Sequence, residues 1–393
     1  MTGLLADLRV LDFGRYIAGP YCAAMLADLG AEVIRVEKTG GSEDRFLMPV
    51  AEGAGALFLQ VNRNKLGMTL NPRTAQGREI VKKLVATADV VVANLPPQTL
   101  ADMGLDYESL CRSKPDIILA TVSAFGPGGP YAEKVGFDGI GQAMSGVMFM
   151  SGDPGVPTKG YSPWVDFATA MSSAFGTLAA LMHRAQSGEG QVVEGALLNT
   201  ALTIGNATLI EQAVIAADRV ATLNRSQTSA PSDAFRTKDG WIIVQAIGQP
   251  LFERWARLMG ENHWLSDPRF ADDEARGRHG EEVSRRMAAW CAERTVEEAL
   301  AELEAARLPA GPVYSPQQAL DDPHVQASGF LKALDYPGAG RPAPVSDTPV
   351  RLSATPGGIR HRAPRLGEHT DRVLSELGYD ASAIAELRAA GVI

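Results

Sequence analysis

A doubly wound, Rossmann-like α/β domain joined to a smaller α+β domain is the fold class this sequence predicts, and three observations carry the prediction. From residue 8 to about 150, short β-branched runs alternate with helical patterns of roughly 10 to 15 residues, the pattern of right-handed βαβ crossovers and a parallel sheet. After about residue 225 the texture changes to a hairpin with a DG turn, followed by charged amphipathic helices. A chain of 393 residues also exceeds one ordinary core.

The elements follow in order. LRVLDFG reads as the first strand, PYCAAMLADLG as its helix and AEVIRVEK as the second strand; TAQGREIVKKLVATA, VVVANL, a helix near 98–113 and DIILATVSAF continue the alternation. A long helical stretch over 166–185 ends at the turn QSGEGQ, and VVEGALLNTALTIGNATLIEQAVIAA then reads as a strand followed by helix. Residues 217–232 are polar and contain a proline, as a linker would. DAFRTKDGWIIVQAIGQPLFERWARLMG predicts the hairpin, a glycine loop and a helix, with further amphipathic helices near 281–307. The stretch 335–365, rich in Pro, Gly and Arg, predicts an extended connection leading to a last helix over TDRVLSELG. The domain plan is therefore 1–200 for the large domain, 201–224 for the linker, 225–325 for the small domain, and 326–393 for a return that completes the large one.

Composition excludes several classes. Apolar residues at 45% and charged residues at 21% describe an ordinary globular chain. The 37 basic and 46 acidic residues leave a net charge of −9, which opposes nucleic acid and anionic membrane as partners. Cys22, Cys111 and Cys291 are too far apart for a metal site and suit a reducing compartment, with Cys22 expected in the core. Asp7 and Arg9 interrupt the apolar run a signal peptide would need, and no apolar run reaches 18 residues, so a cytoplasmic location is expected.

Motifs narrow the chemistry further. Glu37 stands about twenty residues beyond the first turn, where a ribose-binding acid would sit, but Gly14 and Gly19 in DFGRYIAGP do not make GxGxxG. GxxxxGK[ST] and GxSxG are absent. His183, His263, His279, His324, His361 and His369 form no HExxH or related spacing, so no metal is expected. Basic residues do gather where strands end: Arg35, Lys38, Arg45, Asn62–Lys65, Arg73 and Lys134. They read equally as a site for a phosphorylated ligand or as a solvated face. Asp166 opens the run WVDFATAMSSAFGTLAALMHR. An acid leading an apolar helix either caps that helix or has its reactivity used.

Segments along the whole chain carry a resemblance: LADLRVLDFGRYIAGPYCAAMLADLGAEVIRVEK, NRNKLGMTLNPRTAQGREIVKKLV, ADVVVANLPP, MGLDYESL, KPDIILATVSAFGPGGPYAEKVGFDGIGQAMSG, LPAGPVYSPQQALDDPHVQASG and APRLGEHTDRVLSELG. In this order they resemble the family III CoA-transferases, the CaiB/BaiF group of formyl-CoA and carnitine CoA-transferases. That resemblance implies a transferase working on an acyl-CoA and a carboxylic acid, with coenzyme A as a substrate and no permanently bound cofactor. It assigns the nucleophile to Asp166, kept ionised by the N-terminus of its helix, attacking the thioester to form a mixed anhydride and then an aspartyl-CoA thioester. It assigns a mobile glycine loop to Gly248 and Gln249 within Ala246–Pro250, where this chain has one glycine and some relatives have several. It assigns CoA contacts to Ile17, Ala18, Lys38, Asn71, Arg73, Asn94, Leu95, Lys134 and Phe137.

Ile17 and Asp102 replace a glutamine and an arginine of the formyl-CoA transferases, which argues against a formyl and oxalate pair. An α-methylacyl-CoA racemase, the rival reading, would need GHD where this chain has Gly136, Phe137 and Asp138; a catalytically silent acyl-CoA binding protein is a third. Tyr16, Ile17, Met48, Phe137 and Met144 are candidates for the acyl pocket. The resemblance further implies a homodimer of interlaced chains.

Overall fold

The computed structural model describes residues 3–393; Met1 and Thr2, the first two residues of the expected large domain, lie outside the described residues. The chain divides into two compact units. The first runs to Ser145 and resumes over Gly160–Leu209 and His324–Ile393; the second comprises Gly146–Lys159 and Ile210–Pro323. Helices at Leu197–Ile204 and Asn206–Ile215 occupy much of the expected linker 201–224, because the apolar run there is long enough to form them.

The first unit is built on a parallel sheet of six strands. Across it the strands run Lys65–Thr69, Glu32–Glu37, Arg9–Asp12, Val90–Ala93, Ile118–Ser123 and Val192–Ala196. Numbered along the chain this is the order 3-2-1-4-5-6 of a doubly wound sheet. The central strands are apolar on both faces, as a sheet sandwiched by helices requires. Leu11, Ile34 and Val91 enter one core with Ile80, Val81 and Leu84 of the helix Ala75–Ala86 and with Leu374 and Leu387 near the C-terminus. Their neighbours Val10, Val33, Val90 and Val92 enter the other core, with Ala24 and Leu26 of the helix Ala18–Asp28 and Ala170 and Ala174 of the long helix Trp164–Ser187.

By length and composition that long helix could cross a membrane, but its small residues Ala170, Ser173, Ala174, Thr177 and Ala180 are buried on the sheet. Small side chains let it approach the helix Ala18–Asp28 closely. The C-terminal segment covers the sheet edge at Lys65–Thr69: Gly67 accepts at its carbonyl from the N–H of His369 at 2.8 Å, and the N–H of Thr69 donates to Thr370 Oγ1 at 3.0 Å. An edge strand so covered cannot pair with another chain.

The second unit holds a three-stranded antiparallel sheet of Ser232–Arg236, Trp241–Gln245 and Ala310–Pro312. Helices pack on it through an aromatic core of Phe235, Phe252, Trp255, Trp264 and Phe270. The DG turn at Asp239–Gly240 closes the hairpin, with Thr237 donating its N–H to the Gly240 carbonyl.

Charges buried within the first unit remove four basic residues from the phosphate-site reading. Arg35, Arg45, Arg63 and Lys65, expected as part of a phosphate site or a solvated face, are buried and paired. Arg35 donates to Asp44 at 2.8 Å, Arg45 to Glu37 at 2.6 Å, Arg63 to Asp28 at 2.6 Å and Lys65 to Asp12 at 2.7 Å. Asp12 also accepts the N–H of Gly14 at 2.8 Å, which fixes the loop after the first strand. Burial opposes the charge on Asp12, but Lys65 and Arg35 outweigh it and hold its pKa below the ordinary value. Burial pushes Lys65 down to about 8. Removing one partner of a buried pair strands the other, at a cost of about 3–5 kcal/mol. Lys65→Met is therefore expected to lower stability to urea denaturation by about that amount, and a loss below 1 kcal/mol would show that the pair is not needed.

Candidate active site

The sheet changes direction between its first and fourth strands, Arg9–Asp12 and Val90–Ala93, and ligands of open α/β sheets bind outside the carboxyl ends at such a switch point. A cavity of about 280 Å³ lies there. Arg15 and Tyr16 from the loop after the first strand, Asn94 and Leu95 after the fourth, Ser123 after the fifth, Lys134 and Phe137 from the following loop, and Asp166 line it.

Backbone geometry joins the two switch-point loops. The N–H of Arg15 donates to Asn94 Oδ1 at 2.6 Å and Asn94 Nδ2 donates to the Arg15 carbonyl at 2.8 Å. Gly19 makes room for this: a Cβ there would sit 2.8 Å from Asn94 Oδ1. Tyr16 adopts φ 59°, the left-handed region that costs a non-glycine residue on the order of 1–3 kcal/mol. Its ring meets the edge of Phe137 at 5.5 Å between centroids.

The long helix begins at Trp164 with Pro163 before it, so Asp166 is its third residue and not its cap. The cap comes from elsewhere in the chain. Asp138 Oδ2 accepts the N–H of Val165 at 2.8 Å and that of Asp166 at 3.1 Å. Its other oxygen accepts from Gln142 Nε2, and Gln142 Oε1 accepts the N–H of Gly160 at 2.9 Å. The apolar wall between the helices is close: a Cβ on Gly141 would lie 3.0 Å from Val165.

The Asp166 carboxylate forms no hydrogen bond or ion pair among the described residues. Burial, and after it the charge of Asp138, push its pKa up to about 7. This corrects the expectation that the helix N-terminus keeps the acid ionised: the donors that would do so are already bonded to Asp138.

Of the sequence-derived site residues, Ala18, Asn94, Leu95, Lys134 and Phe137 share the cavity with Asp166. Ile17 precedes Ala18 but is buried in the core beneath. Lys38, Asn71 and Arg73 do not line the cavity; Lys38 is exposed and pairs with Glu43, and Arg73 is exposed. Among the acyl-pocket candidates Tyr16 and Phe137 line the cavity, whereas Met48 and Met144 are exposed outside it. Gly248 and Gln249 belong to the second unit. There Gly248, at φ 86°, donates its N–H to Asp273 at 2.9 Å, and Gln249 accepts from Arg276 at 2.8 Å. Arg15 escaped the sequence reading although it directly follows the first strand's DFG. Asp138 carries no signal in the sequence beyond its place after Gly136 and Phe137. Among the described residues no group of three or more His, Cys, Asp or Glu is placed to hold a metal ion.

The profile of CoA-transferase family III matches residues 5–370. The succinyl-CoA–D-citramalate CoA-transferase of Chloroflexus aurantiacus is 36% identical over 99% of this chain and 98% of its own length. The succinate–glutarate CoA-transferase of Agrobacterium fabrum is 34% identical, over 95% of each chain. The crystal structure of a CaiB/BaiF family protein from Brucella suis superposes with a TM-score of 0.84 at 32% identity, covering 96% of this chain and 100% of that one.

Two outcomes follow for stability. Asp138→Ala removes a helix cap and is expected to cost about 0.5–2 kcal/mol in chemical denaturation. Asp166 has a folded pKa raised from 3.8 to about 7, so its favourable contribution is complete below the ordinary carboxylate range and is lost as pH rises through 7. Asp166→Asn is therefore expected to gain stability relative to the wild type between pH 4 and 7. Parallel stability curves for the two proteins would contradict it.

Proposed function

The chain belongs to CoA-transferase family III, a transferase family acting between acyl-CoA and carboxylic acids, and from that premise we propose that Asp166 is its covalent nucleophile. The observation that carries this is an acid lining a cavity at the switch point with no hydrogen-bond or ion-pair partner among the described residues, its helix capped by a different residue. An ionised Asp166 oxygen attacks the thioester carbonyl and the CoA thiolate leaves, giving an acyl–aspartyl anhydride. The thiolate then attacks the aspartyl carbonyl, releasing the first carboxylate and leaving an aspartyl-CoA thioester. An incoming carboxylate repeats the two attacks in reverse order, which regenerates Asp166 and the new acyl-CoA. An acid relieved of capping keeps both oxygens available for these steps.

The CoA portion is taken by Ala18, Asn94, Leu95, Lys134 and Phe137 around the cavity, with Lys38, Asn71 and Arg73 reserved for its phosphates. Exposed Met171, Phe175 and Met182 along the long helix support a second copy of the chain as partner. The working form in this reading is a cytoplasmic homodimer. Phe137, standing where a racemase would need its histidine, has no proton to exchange, so transfer is preferred to proton abstraction.

Asp166→Ala is expected to abolish exchange of labelled CoA between an acyl-CoA and a carboxylate, by at least 1,000-fold in order of magnitude, without unfolding the chain. Mass spectrometry of the wild type with acyl-CoA is expected to find CoA attached at Asp166, and retained exchange in the variant would defeat the assignment. Because only the ionised acid attacks, and its pKa in the free chain is about 7, kcat/KM is expected to rise about tenfold per pH unit below that value and level above it. A profile flat from pH 5 to 8 would contradict the assigned ionisation.

A further inference from the structure

We propose that Arg15 reads a second carboxylate on the acyl group, so that the cavity takes half-thioesters of dicarboxylic acids; this deepens the transfer reading and rests on it. The observation is an unpaired guanidinium in the same cavity as Asp166. Arg15 Nη1 donates to the carbonyls of Phe13 at 3.0 Å and Gly14 at 2.8 Å, using both of its N–H groups. Nε and Nη2, which carry the other three, have no acceptor among the described residues, and no carboxylate there forms an ion pair with Arg15.

The fully buried guanidiniums Arg35, Arg45, Arg63 and Arg276 each have a carboxylate, namely Asp44, Glu37, Asp28 and Asp273. Keeping a cation partly out of water without a partner is costly, and each of these four fully buried cations has one. Arg15 is also held rigidly. Its backbone is clamped to Asn94 on both sides, and the two carbonyls orient the guanidinium plane. The Nε–Nη2 edge left open is one side of the planar fork, the edge that takes both oxygens of a carboxylate.

The other cation of the lining, Lys134, is exposed and rests its ammonium 3.9 Å from the Tyr131 ring centroid. The two cations therefore divide the work. Lys134 meets the solvent-facing part of the thioester substrate, and Arg15 meets the far end of the acyl chain once its carbonyl is at Asp166. Succinyl, citramalate and glutarate in the names of the relatives are groups of this kind.

A phosphate of CoA is the other anion the open edge could take, and the test separates the two. Succinyl-CoA, butyryl-CoA and CoA itself are titrated calorimetrically into the Asp166→Asn chain, which cannot turn over, and into Asp166→Asn with Arg15→Met. Butyryl-CoA has the same number of acyl carbons with a methyl group in place of the carboxylate. The Arg15 chain is expected to bind succinyl-CoA about 10- to 100-fold more tightly than butyryl-CoA. Arg15→Met is expected to erase that preference while CoA affinity stays within about twofold. Equal binding of the two thioesters to the Arg15 chain overturns the inference. So does an equal loss for all three ligands in the variant, which would give Arg15 to a CoA phosphate. If Arg15→Met does not fold, Arg15→Lys keeps the charge without the fork and is expected to lose most of the preference; an unchanged preference overturns the inference. Absence of CoA exchange by the wild type would instead defeat the transfer reading, and the binding result would stand apart from it.

Discussion

The carboxylate of Asp138 is the interaction on which the site depends. It reaches the two N–H groups at the start of the long helix and so supplies, from a separate element, what Asp166 would otherwise supply itself. A helix start left bare needs donors satisfied, and a local acid is the usual answer. Here that need is met from 28 residues earlier in the chain. Asp166 is left in the opposite situation, an acid that caps no helix and pairs with no cation among the described residues. Its raised pKa follows from that: charge is disfavoured by burial and by Asp138.

A second constraint sets the position of the loops. At the switch point two strands diverge, and the loops leaving them need support that helices do not give. The Asp12, Lys65, Arg35 and Asp44 cluster anchors the loop after the first strand from below, through the Gly14 N–H. Asn94 anchors it from the side. The cost of burying those ions is offset by their mutual pairing, which holds Arg15 and Tyr16 at the cavity. Most basic residues in this region thus serve the scaffold. Arg15 forms no ion pair with a carboxylate among the described residues, and only its Nη1 is bonded, to the Phe13 and Gly14 carbonyls.

Much of the first unit was legible because its strands obey simple rules. Runs such as VVVA are apolar on both faces, so they fit a parallel sheet covered on both sides, and the order of such runs in the chain with intervening helices leads to double winding. Asp166 could also be singled out, since a lone acid before an apolar run is unusual. The CoA contacts expected from the resemblance fall unevenly in the structure. Asn94 and Leu95 directly follow a strand and Lys134 and Phe137 lie on the loop after the next one, all lining the cavity, whereas Lys38 and Arg73 end on the exposed surface outside it.

By itself the sequence determined most strands and helices of the first unit, that their sheet is parallel, and that Asp166 heads an apolar helix, because hydrophobic periodicity and charge placement are local properties. Tertiary structure alone decided which acid caps that helix, which cations are spent on buried partners, and which remain open. Those outcomes depend on distances of about 3 Å between residues such as Asp138 and Val165 or Asp12 and Lys65, and no local pattern encodes a hydrogen bond across 27 or 53 residues. A carboxylate becomes reactive or inert according to who else claims the donors around it, and that competition exists only once the chain has folded.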